Sequence, residues 1–146
     1  MTVYKLSLSK AITADYILFN CLVFPVISLI VIIVTAGNPL LIGILAILSF
    51  VTLVIGGFRF IKILKIINEN QMVDAIISHV YFYRGRGTIN FRFVYHGENF
   101  NSKLHVIKTK SSTSYKPGDR IHALVDWNDP RKALITDLYA DPREQL

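Results

Sequence analysis

YILFNCLVFPVISLIVIIVTAGNPLLIGILAILSFVTLVIGGF, residues 16–58, contains no charged side chain. It is about twice as long as the ~20 apolar residues that one helix needs to cross a bilayer. Gly37-Asn38-Pro39 interrupts it near the middle. The pattern therefore predicts a hairpin of two transmembrane helices, residues 16–36 and 40–58, joined by a short connector at that break.

The first span admits two other readings. Residues 26–34 are rich in β-branched side chains, which in water favours a buried strand, but strands rarely exceed ten residues and a lone strand in lipid leaves its backbone unpaired. A cleaved signal peptide is the other alternative, with Lys5 and Lys10 as its basic region and Val34-Thr35-Ala36 as a loose match to a cleavage site. A core of ~20 apolar residues is longer than the 7–15 typical of such signals, so we expect a retained helix.

The second span carries small residues at helical spacing, Gly43, Ala46 and Ser49. Small side chains let membrane helices approach closely, and these three predict the contact with the first span. Gly56-Gly57 predicts a bend, after which a helical stem, residues 59–70, places Lys62 and Lys65 on one face.

Charge flanks the apolar stretch on both sides. The chain has 146 residues and a net charge of +6, and basic flanks orient helices against anionic headgroups without any nucleic acid. We therefore expect the lipid bilayer as a partner, anionic headgroups as a further contact, and no nucleic acid. Because the connector is uncharged and both outer flanks are basic, the positive-inside rule places residues 1–15, an N-terminal tail, and the C-terminal domain in the cytoplasm.

Residues 71–146 read as a small β domain. Strands are predicted at residues 73–83, 88–96, 100–108, 120–127 and 133–138, with turn signals between them. In the second strand Ile89, Phe91, Phe93 and Tyr95 share one face. The predicted fold class is an α+β membrane protein, with a two-helix transmembrane hairpin followed by a five-stranded, mostly antiparallel barrel or curved sheet.

Turn-forming residues precede each of the last two predicted strands. Proline presets the backbone of a turn, glycine accepts positive φ, and aspartate hydrogen-bonds its own backbone. A polar loop is predicted at residues 109–114, and Trp127 is expected to lie partly inside. The predicted structural turn residues are Pro117, Gly118, Asp119, Asp129 and Pro130.

Residues 115–121, 125–130 and 133–135, together with Val94-Tyr95-His96-Gly97, resemble a pattern in a bacterial membrane family catalogued only as a domain of unknown function. The pattern is a Tyr-x-Pro-Gly-Asp turn, a strand, an Asp-x-x-Asn/Asp-Pro turn and a last strand. The resemblance implies two spans and a small β domain in a bacterial inner membrane. It implies no substrate and no cofactor. Trp127 stands where a proline is common.

No spacing in the chain indicates catalysis, and we predict no enzyme, cofactor or metal site. The four histidines, His79, His96, His105 and His122, form no HxH or HxxxH pattern, although His96 and His105 are expected to face each other across a hairpin. Lone Cys21 has no disulfide partner. The serines of the 109–114 loop have no recognisable general base, so we expect a polar loop there rather than a nucleophile. We likewise expect turn residues, rather than an acid–base pair or a cation site, at Asp119, Asp126 and Asp129.

Arg84-Gly85-Arg86-Gly87 is the most suggestive local feature. Arg84, Arg86, Lys62 and Lys65 are therefore the candidates for contact with a partner or a headgroup. The main hypothesis is a membrane-anchored interaction module that binds a protein partner or a second copy, or that acts as accessory to a membrane complex. The alternative is an immunity protein against a membrane-acting toxin. A transporter is disfavoured because the spans contain no ionisable group.

Overall fold

A computed structural model describes residues 4–35, 38–69 and 71–142. It confirms the predicted fold class, with two long apolar helices followed by a nearly closed, five-stranded antiparallel, barrel-like sheet. The helices are α1 (Leu8–Ala14), α2 (Tyr16–Val34), α3 (Pro39–Glu69), α4 (Lys110–Thr113) and α5 (Thr136–Tyr139). The strands are β1 (Tyr4–Leu6), β2 (Met72–Tyr83), β3 (Arg86–Tyr95), β4 (Glu98–Ile107), β5 (Arg120–Asp126), β6 (Asp129–Ile135) and β7 (Ala140–Pro142).

Helices α2 and α3 are each long and apolar enough to span a membrane. Only 17% and 6% of their apolar windows are buried within the chain, which is unlike the core helix of a soluble protein. Helix α2 runs through Pro25, and α3 runs without interruption through Gly56-Gly57 into the predicted stem.

Of the three small residues predicted to bring the two long helices together, only Ser49 lies in their contact. Gly43 and Ala46 are exposed, so the predicted contact through them is wrong. The close approach lies at Gly56, where an added Cβ would stand 2.8 Å from the Cβ of Cys21. Ser28 lies seven residues, or two turns, after Cys21 on α2 and is buried. Ser49 lies seven residues before Gly56 on α3 and is half-buried. The antiparallel helices therefore pack along a seam of small side chains.

The barrel has the strand order β4-β3-β2-β5-β6, and every neighbouring pair is antiparallel. Two-residue turns join β2 to β3 and β3 to β4. Both turns have positive φ at both positions, 46° and 84° at Arg84-Gly85 and 50° and 83° at His96-Gly97, which is the turn that suits the twist of a hairpin. Ser102 brings β4 to β6, because its hydroxyl donates to the Arg131 carbonyl at 2.8 Å.

The core extends beyond the predicted β domain. It includes Ile63, Ile66 and Ile67 of α3 and Ala11 and Ala14 of α1, packed with the inward faces of the strands. The N-terminal residues were predicted as a tail, yet β1 pairs with β7 and α1 packs on the barrel. A domain cut at Gln71 would therefore lose part of its own core.

Local differences have local causes. The fifth barrel strand ends at Ile135 rather than at Leu138, because the chain turns there into α5. The 109–114 loop contains one helical turn, closed by a reciprocal capping box between Thr109 and Ser112. Trp127 is 59% exposed instead of partly buried, since β5 ends one residue before it.

Candidate functional site

The two charges that bound the apolar stretch meet in the folded chain. Asp15 precedes α2 and Arg59 lies on α3, 44 positions further along the sequence. The Arg59 guanidinium donates to Asp15 Oδ2 from Nε at 3.1 Å and from an Nη at 2.7 Å. An antiparallel helical hairpin with arms of similar length brings the residue before the first arm beside the residue after the second. This pairing therefore follows from the hairpin itself.

Asp15 also holds two other parts of the chain. Its Oδ1 accepts from the Leu18 backbone N–H at 2.9 Å, which caps the first turn of α2. Its Oδ2 accepts from the Tyr139 hydroxyl at 2.9 Å, and its backbone forms an isolated bridge to Val106 of β4. We call Asp15, Arg59 and Tyr139 the junction network, since they join α2, α3 and the barrel.

The junction network is buried, and the charge and both oxygens of its carboxylate have partners. Asp15 and Tyr139 have no exposed surface, and the Arg59 side chain is 28% exposed. A buried carboxylate is tolerated when its charge is paired and its oxygens accept hydrogen bonds. Both oxygens of Asp15 do so here, and the acidic group also sits favourably at the positive end of the α2 dipole. The helices and the barrel are therefore held at a fixed relative position.

Tyr139 makes the junction sensitive to alkaline pH. Burial, and then the negative charge of Asp15, raise the pKa of the Tyr139 hydroxyl well above its ordinary value of 10. The folded chain keeps this proton more tightly than the unfolded chain, whose tyrosine titrates near pH 10. The stability that Tyr139 contributes is thus complete below about pH 10 and is lost as the pH rises further.

We expect Tyr139→Phe to lower the free energy of unfolding by about 2 kcal/mol at neutral pH, because a hydrogen bond to a charged acceptor is lost. The variant should also lose less stability than the parent chain between about pH 10 and pH 11. Some alkaline sensitivity should persist, since burial raises the pKa of Tyr115 to about 12. Thermal unfolding in detergent at several pH values measures both effects. Exposed Tyr81→Phe is the control, and parallel pH profiles for Tyr139→Phe and the parent would contradict the assignment.

Beside the junction network lies an open cavity of about 530 Å³, which we call the basal cavity. Its walls come from the start of α2 and from three neighbouring strands of the barrel. The side chains that line it are Tyr16, Ile17, Tyr81, Tyr83, Arg86, Thr88 and His105.

The basal cavity combines aromatic rings with positive charge. The Arg86 guanidinium lies 6.0 Å from the centre of the Tyr16 ring, and that of Arg84 lies 5.2 Å from the Tyr83 ring. Both distances suit cation–π attraction. Burial, and then the charge of Lys103, lower the pKa of His105 below its ordinary value of 6.5. His105 is therefore neutral at pH 7, and Arg86 supplies the charge of the cavity wall.

The other predicted contact residues lie apart from the basal cavity. Lys65 Nζ lies 3.5 Å from Glu69 and 3.6 Å from Asp126, and neither Lys65 nor exposed Lys62 lines the cavity. Of the four predicted contacts, Arg84 lies in the β2–β3 turn and Arg86 is the first residue of β3. The structure therefore separates the arginine pair from the lysine pair.

The histidines are also dispersed. His105 pairs with Thr88 in the sheet while His96 lies in the β3–β4 turn, so the prediction that these two face each other is wrong. His122 lies 2.9 Å from Asp74 at the surface. Among the residues that the structure describes, no three His, Cys, Asp or Glu side chains are grouped to hold a metal ion.

The predicted turn residues form local structure. Pro117 and Gly118 occupy the centre of a turn in which the Asp119 N–H donates to the Lys116 carbonyl at 3.1 Å, and Gly118 has a φ of 94°. The Asp119 carboxylate accepts from the Lys116 N–H at 2.7 Å. Asp129, followed by Pro130, accepts from Lys132 Nζ at 2.7 Å. The contacts of Pro117, Gly118 and Asp119 stay within their turn. Asp129 and Pro130 instead begin β6, because Asp126 pairs with Asp129 and leaves only residues 127 and 128 in the turn.

At the far end of the barrel lies an exposed group that we call the far rim, formed by Val94, His96 and Trp127. The His96 and Trp127 rings are 5.9 Å apart and nearly perpendicular. The backbone N–H of Trp127 donates to the Glu69 carboxylate at 3.0 Å, and Glu69 lies ten residues, or about 15 Å, along α3 from Arg59. The far rim and the basal cavity therefore lie at different levels along α3.

Asp15 and Arg59 are the charged residues directly before and after the charge-free stretch, but no sequence pattern predicted that they pair or marked Tyr139 as a site residue. The position of Asp15 and Arg59 at equivalent ends of the two helical arms was the feature of the sequence that could have predicted their pairing. Comparison with known proteins yields no matching family model, no matching curated protein and no matching solved structure. The resemblance to the bacterial two-span family stays a prediction.

Proposed function

We propose that the chain is a membrane-anchored, non-enzymatic interaction module that holds a protein partner, or a component of a membrane complex, at the bilayer surface. In this proposal α2 and α3 cross the membrane and the barrel binds. The observation that supports it is the junction network, which ties both helix ends and the barrel to one buried carboxylate. A rigid attachment of this kind presents one face of a small domain at a constant distance from the membrane.

We place the barrel on the cytoplasmic side of a bacterial inner membrane. The Asp15–Arg59 pair brings the outer ends of both spans together, and Lys5, Lys10 and Arg59 lie at that end, which the positive-inside rule assigns to the cytoplasm. The opposite end contains the uncharged break at residues 37–39.

The far rim is the face that best suits a protein partner. Trp127 is 59% exposed and Val94 is 57% exposed, and neither contributes to the core. Tryptophan is enriched among the residues that dominate protein interfaces, where it fills a pocket on the partner. The far rim also lies away from the apolar helices, so a partner could reach it from solvent.

Affinity capture of the full chain from detergent-solubilised bacterial membranes tests the proposal. We expect a retained protein, or a second copy of the chain, whose recovery falls more than about tenfold in Trp127→Ala, since central tryptophans often contribute ~2 kcal/mol. The matched control is Tyr81→Ala, because Tyr81 is also 59% exposed but lies at the basal cavity. A fluorescent protein that folds only in the cytoplasm, fused to the C-terminus, serves as the capture handle.

Two results would contradict the proposal. The proposed interaction module would be refuted if Trp127→Ala and Tyr81→Ala gave equal recovery, or if the parent chain retained no protein above background. A non-fluorescent fusion at full-length expression would instead refute the orientation alone.

A further inference from the structure

We propose that the basal cavity binds the phosphate of an anionic lipid headgroup. This inference rests on the proposed membrane anchoring and adds to it a ligand class that the anchor alone does not require. The cavity would make the barrel an element that selects its lipid, as well as an element that presents a surface to a protein.

The first argument is the level at which the cavity lies. Tyr16 and Ile17, the first two residues of α2, form part of its wall. The apolar stretch begins at the same two residues. If α2 enters the hydrocarbon there, the cavity opens at the depth of the headgroups. Tyr81 and Tyr83 complete an aromatic lining, and tyrosine is enriched at that depth.

The second argument is the chemistry of the lining. Arg86 offers a planar, permanently charged fork that matches two oxygens of a phosphate. The Thr88 hydroxyl lies 3.4 Å from His105 Nδ1 on the neighbouring strand, so two more polar groups face the same space. No carboxylate is among the described residues that line the cavity. The nearby Asp15 has its oxygens occupied by Leu18, Arg59 and Tyr139, which limits its repulsion of an anion.

The third argument is the fixed position of Arg86. It directly follows the tight Arg84-Gly85 turn, and the Gly85 carbonyl accepts from the Lys108 N–H at 2.8 Å, which ties the turn to the end of β4. At Gly87 an added Cβ would collide with the Phe82 ring. The strands are therefore closely packed beneath the cavity, and the backbone that carries Arg86 is positioned before any ligand arrives, which reduces the ordering cost of binding.

The fourth argument favours a lipid over free phosphate. Ile17 is 38% exposed and extends the polar cavity into the exposed apolar surface of α2. A soluble anion would use only the polar half of this site. A phospholipid would use both halves, with its phosphate at Arg86 and its acyl chains along α2.

Native mass spectrometry of the full chain in mild detergent tests the proposal, with phosphatidylglycerol and phosphatidylcholine as probes. We expect tighter retention of phosphatidylglycerol. Arg86→Gln should weaken it about fivefold, the effect of one basic residue beside an anionic headgroup, whereas Lys62→Gln should leave it within about twofold, since Lys62 is basic and exposed but lies outside the cavity. Thr88→Val, which keeps the charge and shape of the wall, should weaken it about threefold through a lost hydrogen bond.

Several outcomes would overturn the proposal. Equal losses in Arg86→Gln and Lys62→Gln would indicate diffuse attraction to basic side chains, and equal retention of the two lipids would exclude recognition of the anionic headgroup. Displacement of the lipid by inorganic phosphate would assign the cavity to a soluble anion. Extraction of the chain from cell membranes by alkaline carbonate would refute the membrane anchor itself, and because binding in detergent is measured separately, the two failures are distinguishable.

Discussion

Replacing Asp15 with alanine is expected to lower the free energy of unfolding by at least about 3 kcal/mol, the usual cost of removing one member of a buried ion pair. The substitution leaves the mostly buried Arg59 guanidinium without its carboxylate partner. It also leaves the Tyr139 hydroxyl and the Leu18 N–H without their acceptor. Thermal unfolding of the full chain in detergent, followed by circular dichroism, measures the loss.

The chain offers a matched control for this experiment. Asp141 pairs with Lys10 at 2.5 Å, but the two side chains are 53% and 42% exposed. Asp141→Ala should therefore cost no more than about 1 kcal/mol, as is usual for a surface ion pair. If Asp15→Ala and Asp141→Ala destabilise the chain equally, the junction network does not hold the barrel to the helices. Simultaneous replacement of Asp15 and Arg59 by leucine should recover much of the loss, because no buried charge is then left unpaired.

The elements with strong local signals were predictable. A charge-free stretch interrupted by Gly37-Asn38-Pro39 predicts two helices whatever follows it in the sequence. The alternation of Ile89, Phe91 and Phe93 predicts one buried face, and all three are buried. His96-Gly97-Glu98-Asn99 predicts a hairpin turn. The hairpin is present, but its turn is confined to His96-Gly97 because β4 already begins at Glu98.

The features that depend on distant residues were not predictable in the same way. Strand β1 is three residues long, and only its partner β7 near the other end of the chain makes it a strand. Ser102 closes the barrel through the Arg131 carbonyl, and nothing near Ser102 in the sequence marks that role. Tyr139 reaches Asp15 only because α5 turns the chain after β6.

The same distinction explains the candidate sites. Arg84 and Arg86 could be singled out because two arginines and two glycines in a row are locally unusual. Their separation from Lys62 and Lys65 could not, since it depends on how α3 packs against the sheet. The aromatic lining of the basal cavity comes from two elements, α2 and β2, and Tyr16 lies far from Tyr81 in the sequence. Sequence patterns thus predicted a charged group, while packing placed it beside the first turn of α2.

Helices α2 and α3 approach each other closely at Cys21 and Gly56. We expect Gly56→Leu to destabilise the chain by up to ~3 kcal/mol, the range for overpacking a close contact. A Cβ at position 56 already stands 2.8 Å from that of Cys21, so a leucine must push α2 and α3 apart and disturb the Ser28 and Ser49 levels of the same seam. Gly57→Leu is the matched control, because among the described residues no atom outside the adjacent residues and the surrounding backbone of α3 lies within 4 Å of a Cβ there. Leucine also has the higher helix propensity, by ~0.8 kcal/mol. Unfolding in detergent should therefore give opposite signs for two neighbouring substitutions. Equal destabilisation by both would show that glycine is needed at this level for backbone bending, and equal tolerance of both would show that α2 and α3 do not meet at Cys21 and Gly56.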